Sequence, residues 1–210
     1  MINVGDQSVV GEYVRDVYRG VSEVAIAFHP ERNGAGHDLL IVAATEPDLF
    51  SRWVMISNVD TILGVNNEDF LRTAMINKVE AMLLATNRTN VPNSGAYLID
   101  PTGKVISSRE FNDYDPNAVN ADANRYTARV SSCGGVILSR NCLLTMASEY
   151  EPTPGAGEVS LYRDVLPVVH KNFGLHTYTF DGTFIDFGTP EYFQQFLAMP
   201  LIGAAEAAVA

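Results

Sequence analysis

Positive charge is scarce in this chain. Fourteen Lys and Arg stand against twenty-five Asp and Glu over 210 residues, for a net charge of −11. A surface that tracks a nucleic-acid backbone carries a basic stripe, so nucleic acid is not expected as a partner. A small phosphorylated ligand stays open, because a metal ion can bridge an acidic site to phosphate. Long apolar runs are also missing. No stretch reaches bilayer-spanning length, and the N-terminus lacks a basic-then-apolar secretion layout, so a cytoplasmic protein without a membrane segment is expected. Cysteine is nearly absent. Cys133 and Cys142 form neither a zinc spacing nor a disulfide framework, which predicts buried free thiols in a reducing compartment. His29, His37, His170 and His176 show no ligand spacing and read as structural or surface groups.

What is present suits one folded unit. With 47% hydrophobic residues the chain can bury a sizeable core, and it reads as a single domain over 1–210. Val9, Val10, Tyr13, Val14, Val17 and Tyr18 predict a helix over 8–19. Apolar runs over 24–28, 39–43, 53–57 and 81–85 predict buried strands, with a turn-rich loop over 29–37 and a helix over 67–78 capped by Asn66 or Asn67. This alternation predicts an α/β fold with a mixed, mostly parallel sheet flanked by helices, Rossmann-like in organisation. Further on, Asp100-Pro101-Thr102-Gly103 predicts a hairpin turn, residues 112–127 a loop, and 130–138 a strand. Helices are predicted near 141–150, 158–172 and 189–198, and the alanine-rich end over 203–210 reads as a frayed tail or helix end.

The stretch Phe184-Ile185-Asp186-Phe187-Gly188-Thr189-Pro190-Glu191-Tyr192 carries the most chemistry. An apolar run delivers a carboxylate, Asp186. A glycine follows, then a threonine suited to cap a helix, a proline suited to its first turn, and a glutamate near its positive end. A carboxylate at such a junction can hold a metal where helix amides favour anions. On pattern alone, a structural hydrogen-bond acceptor is the commoner role.

Together with Arg163-Asp164-Val165-Leu166-Pro167 and Phe180-Asp181-Gly182-Thr183, this stretch resembles the C-terminal part of the sugar-1-phosphate nucleotidyltransferases, nearest the heptose-1-phosphate and mannose-1-phosphate guanylyltransferase branch. The resemblance is strong over 158–196 and moderate over 1–28 and 53–111. It implies a GT-A-like nucleotidyltransferase fold, with the first strand and phosphate loop missing here.

It also implies roles. Asn58 and Asp60 match a strand ending Leu-Asn-Gly-Asp, with Val59 in place of the glycine. Asp60 and Asp186 would hold one Mg²⁺ against the phosphates of a nucleotide and a sugar-1-phosphate. Without the resemblance, Asp60 reads as the cap of the following turn. Gly95, Glu110, Ser132 and Gly134 would line the sugar side. Otherwise, the glycines read as bulge or packing positions and Glu110 as a solvated loop charge.

Several features depart from the pattern. The glycine-rich triphosphate loop is absent, and Asp6-Gln7-Ser8 offers no cation where a lysine belongs. Phe111 replaces the lysine after Glu110, and only Pro47 to Arg52 remains where a base-reading glycine segment is expected, between Glu46 and Trp53. Near the expected phosphate site the sequence offers Gly5, Arg52 and Arg32. Two readings follow. One is a nucleotidyltransferase with reduced or lost catalysis; the other is a non-catalytic sugar- or nucleotide-binding or assembly subunit. A homo-oligomer or a partner subunit is expected in either case, and the gap left by the missing strand is expected to be closed either by direct pairing of the flanking strands or by a segment from another subunit.

Overall fold

The computed structural model describes residues 2–3, 16, 27–28, 33–87, 95–108, 128–152 and 157–198. Apart from Asp16, the helix predicted over 8–19 lies outside them. So do Gly5, Arg32, Glu110, Phe111, the loop over 112–127 and the tail over 203–210.

The described elements are, in order, β1 (Ile2–Asn3), β2 (Ala27–Phe28), α1 (Ala35–Thr45), β3 (Trp53–Ser57), β4 (Thr61–Leu63), α2 (Asn67–Asn77) and β5 (Ala81–Thr86). Then come β6 (Ala96–Ile99), β7 (Val105–Ser108), β8 (Ala128–Ser139), α3 (Arg140–Glu149), α4 (Leu166–Phe173), β9 (His176–Thr179), β10 (Phe184–Asp186) and α5 (Pro190–Ala198).

A six-stranded sheet forms the centre, in the order β7-β6-β8-β5-β9, with β3 also paired to β8. The long strand β8 organises it. β5 lies along one edge, while β6 and β3 share the other at opposite ends. The expected mixed sheet flanked by helices is present, but its parallel character is less than expected. Among the described strand pairs only β1/β2 and β5/β9 are parallel. The reason is β8, which runs against β3, β5 and β6 alike.

All six residues of β5 are buried. Successive side chains on a strand alternate between faces. Leu83 and Ala85 accordingly join one apolar cluster with α1, α3 and α4, through Leu40, Leu143 and Val169. Met82 and Leu84 join a second cluster with Phe70 and Ala74 of α2. Burial on both faces explains why β5 reads as an unbroken apolar run.

Residues 39–43, expected as a strand, lie within α1. A short apolar run has no period that separates a buried strand from a buried helix. In α1, Leu39, Leu40 and Ala43 are buried, which is helical spacing.

Local rules hold better elsewhere. Asn66 Oδ1 accepts the N–H groups of Glu68 and Asp69, settling the cap of α2. Asp100 Oδ1 accepts the N–H groups of Thr102 and Lys104, which fixes the β6/β7 hairpin. The helix expected over 158–172 divides into a π-helical turn, Leu161–Val165, and α4, where Pro167 enters the first turn. Cys133 and Cys142 are buried thiols that form no disulfide among the described residues.

Candidate phosphate and metal site

Two segments far apart in sequence form the centre of the site. β4 and β10 make a small antiparallel pair in which Asp186 faces Thr61 and Ile185 faces Ile62. The ladder extends through Phe187 N–H, which donates to the Asp60 carbonyl at 3.0 Å, and through Gly64 N–H, which donates to the Thr183 carbonyl at 2.7 Å. Backbone bonds therefore set Asp60 beside Asp186. Asp186 ends β10, as expected. Asp60, by contrast, sits in the turn between β3 and β4, next to the amino end of β4. The strands meet antiparallel, so the end of one lies against the start of the other.

Gly188 explains how both carboxylates reach one place. A Cβ added there would collide with Asp60 Oδ2 and come within 3.3 Å of Asp186 Oδ1. The missing side chain leaves the space that the two carboxylates share. Gly188 N–H donates to Asp186 Oδ1 at 2.9 Å, which fixes one oxygen of that carboxylate. Among the described residues no hydrogen bond from the following turn reaches the Asp60 carboxylate, so the capping role is not seen. Neither carboxylate forms an ion pair among those residues. Two adjacent, half-buried carboxylates that no described cation pairs with suit a divalent cation. Mg²⁺ takes one or two protein carboxylates and leaves its other positions to water and phosphate. No group of three or more His, Cys, Asp or Glu suited to a metal occurs among the described residues.

Of the expected sugar-side positions, Ser132 and Gly134 lie on β8 and Gly95 directly precedes β6. Ser132 N–H donates to the Gly95 carbonyl at 3.0 Å, so these two residues are held together. Opposite β5 the register slips, with Leu83 facing Val136 and Ala85 facing Ser132. The slip places Gly134 in a bulge with φ +77°, the left-handed region that glycine adopts without cost. Gly134 also accepts the Asn58 N–H at 3.0 Å, and a Cβ added to it would lie 2.9 Å from Asn58 Nδ2. The bulge thus seats Asn58, two residues before Asp60. Glu110 lies outside the described residues, so no position is assigned to it.

Three features differ from the expectation or were not foreseen. Arg52 precedes β3, whereas Asn58 and Asp60 follow it; at about 3.3 Å per residue the strand separates them by roughly 20 Å. Arg52 therefore does not serve the Asp60 end. Between Glu46 and Trp53 there is only a 3₁₀ turn, Pro47–Leu49. A glycine-containing helix opening does precede β3, but it is Gly34-Ala35-Gly36 at the start of α1. Those glycines serve packing, since Cβ atoms added there would collide with the backbone of Val159 and Ser160. The contributions of Gly188 and Asn58 were the third. Gly188 was visible in the motif as a turn glycine, but its contact with Asp60 is purely tertiary.

Beyond the carboxylates, the helix opening follows the sequence closely. Thr189 Oγ1 accepts the Tyr192 N–H at 3.3 Å, Pro190 starts α5, and Glu191 is in its first turn.

No protein-family model matches the chain, and no curated protein matches it. Solved structures do. HddC from Yersinia pseudotuberculosis, complexed with GMP-PN, superposes with a TM-score of 0.62 at 16% identity, covering 92% of this chain and 75% of that one. A second crystal structure of HddC from Yersinia pseudotuberculosis also gives 0.62. The inositol-1-phosphate CTP transferase from T. maritima gives 0.65 at 13% identity, over 91% of this chain and 70% of that one. The chain shares their nucleotidyltransferase-like fold.

Proposed function

We propose that this protein binds a nucleotide or sugar-1-phosphate through a divalent cation held by Asp60 and Asp186, on a nucleotidyltransferase fold with reduced or lost turnover. The observation that carries the proposal is the convergence of those two carboxylates over Gly188. The resemblance of 158–196 to sugar-1-phosphate nucleotidyltransferases supports the ligand class. So does the fold shared with the inositol-1-phosphate CTP transferase.

The corresponding reaction joins a sugar-1-phosphate oxygen to the α-phosphorus of a nucleoside triphosphate and releases pyrophosphate. Bound Mg²⁺ would supply charge neutralisation at the phosphates. Asp60 and Asp186 would hold it. The Gly95–Ser132 and Gly134–Asn58 pairs would form a sugar-facing wall with little side-chain bulk. The rest of the catalysis in such a reaction is positioning.

Reduced turnover is supported by the missing cations. Phe111 and Asp6-Gln7-Ser8 lack the lysines of the resembling pattern, and Arg52 lies at the far end of β3. Removing one preorganised charge-stabilising donor costs about 10²–10³ in rate. The second reading, a binding or assembly subunit without turnover, rests on the same absences. A homo-oligomer or partner subunit is part of either reading, and light scattering against the 22.9 kDa chain mass tests it.

The deciding assay is pyrophosphate release across a panel of nucleotides and sugar-1-phosphates, with Asp186→Ala as control. We expect no release, or barely detectable release, together with Mg²⁺-dependent ligand binding that Asp186→Ala abolishes. Robust release that vanishes in Asp186→Ala would instead establish a working transferase. Ligand binding that is indifferent to both Mg²⁺ and Asp186→Ala would remove the metal site.

A further inference from the structure

At the opposite end of the central sheet lies a groove of about 890 Å³. Its floor is the start of β3 and the end of β8, where Trp53 faces Ser139 and Arg140 N–H donates to the Arg52 carbonyl at 2.9 Å. Arg52, Lys78 and Arg140 line it, with Trp53, Glu80 and Asn141. Three cations share one concave surface on a chain of net charge −11. The one acid in the groove is engaged, since the Ser139 hydroxyl donates to Glu80. The Arg140 guanidinium is held in place by the Pro47 carbonyl at 3.1 Å and lies 3.6 Å from the exposed Asp48.

Lys78 adds a separate observation. It ends α2 in the left-handed conformation, φ 53°, and is the one non-glycine residue with positive φ among the described residues. Glycine is the usual residue at such a helix stop, and a lysine there costs on the order of 1 kcal/mol. The chain thus holds a cation at a strained position beside two arginines.

We propose that this groove is a second ligand site, for a small molecule carrying a phosphate or pyrophosphate group. Arg52 and Lys78 supply exposed cationic contacts, Arg140 one held by the Pro47 carbonyl, and Asn141 a neutral polar group. The site is independent of Asp60 and Asp186, which lie beyond the other end of β3.

Trp53 is the only tryptophan in the chain, so its fluorescence reports on this groove. The experiment titrates inorganic phosphate and pyrophosphate into the full chain in Mg²⁺-free buffer at fixed ionic strength, with calorimetry alongside. Three variants accompany it: Lys78→Gly, Arg52→Ala and Asp186→Ala. Lys78→Gly removes the charge while relieving the strained φ, so its melting temperature should equal or exceed that of the parent.

The expected result is saturable binding that shifts Trp53 emission, weakens about tenfold or more in Lys78→Gly and in Arg52→Ala, and is unchanged in Asp186→Ala. Three results would overturn the proposal: no saturable binding by either method, a fluorescence change that KCl reproduces, or binding lost in Asp186→Ala but kept in Lys78→Gly.

Discussion

Phe187 donates its backbone N–H to the carbonyl of Asp60 at 3.0 Å, tying the segment after β10 to the turn after β3. The two lie 127 positions apart in sequence, and this hydrogen bond extends the β4/β10 ladder that brings both carboxylates to Gly188. The site is therefore a property of the β4/β10 pairing. It needs no loop rearrangement to bring Asp60 and Asp186 together.

Gly188→Ala tests that geometry directly. The new Cβ would collide with Asp60 Oδ2, and Gly188 is exposed, so the fold can absorb the change by displacing the carboxylate. Calorimetric titration with Mn²⁺ or Mg²⁺ should show affinity falling about tenfold or more, with the melting temperature shifted by only a few degrees. Metal affinity equal to the parent's would mean that the ion, if bound, does not sit between Asp60 and Asp186.

Gly134→Ala probes the wall proposed to face the sugar. Its left-handed φ of +77° costs a non-glycine residue on the order of 1 kcal/mol, and the added methyl meets Asn58 Nδ2 at 2.9 Å. Urea denaturation should show a loss of roughly 1–3 kcal/mol. The same variant should weaken sugar-phosphate binding, because Asn58 must move and Asp60 follows it two residues later. Full stability in Gly134→Ala would show that the bulge relaxes freely.

The sequence exposed this site unevenly, for physical reasons. Asp186, Gly188, Thr189 and Pro190 are neighbours in the chain, so junction chemistry and cap rules could be read locally. Asp60 was reachable only through the resemblance, since a lone carboxylate after a strand has many uses. The contact of Gly188 with Asp60 and the close approach of Asn58 to Gly134 arise from strand pairing, which no local pattern encodes. α1 was misread because Leu39 to Ala43 are apolar in succession, and burial in a helix also permits that. The antiparallel pairing around β8 was hidden because buried antiparallel strands have the same apolar texture as parallel ones.

The last prediction concerns Cys142, the buried thiol at the start of α3. Its backbone N–H donates to the Ser139 hydroxyl at 3.0 Å, and Ser139 donates in turn to Glu80. Burial first, and the Glu80 charge second, push the Cys142 thiol from 9.0 up to about 12. Between those values the unfolded chain has released a proton that the folded chain still holds. The stability due to the neutral thiol is thus complete below about pH 9 and falls as pH rises toward 12. The slope is about 1.4 kcal/mol per pH unit for this group. Urea denaturation between pH 8 and 10.5 should show the decline, and Cys142→Ala should show a shallower one. Parallel declines in the two proteins would assign the alkaline loss to other groups. The native thiol should also resist iodoacetamide at pH 9, where the unfolded chain reacts readily, because the thiolate is the reactive species.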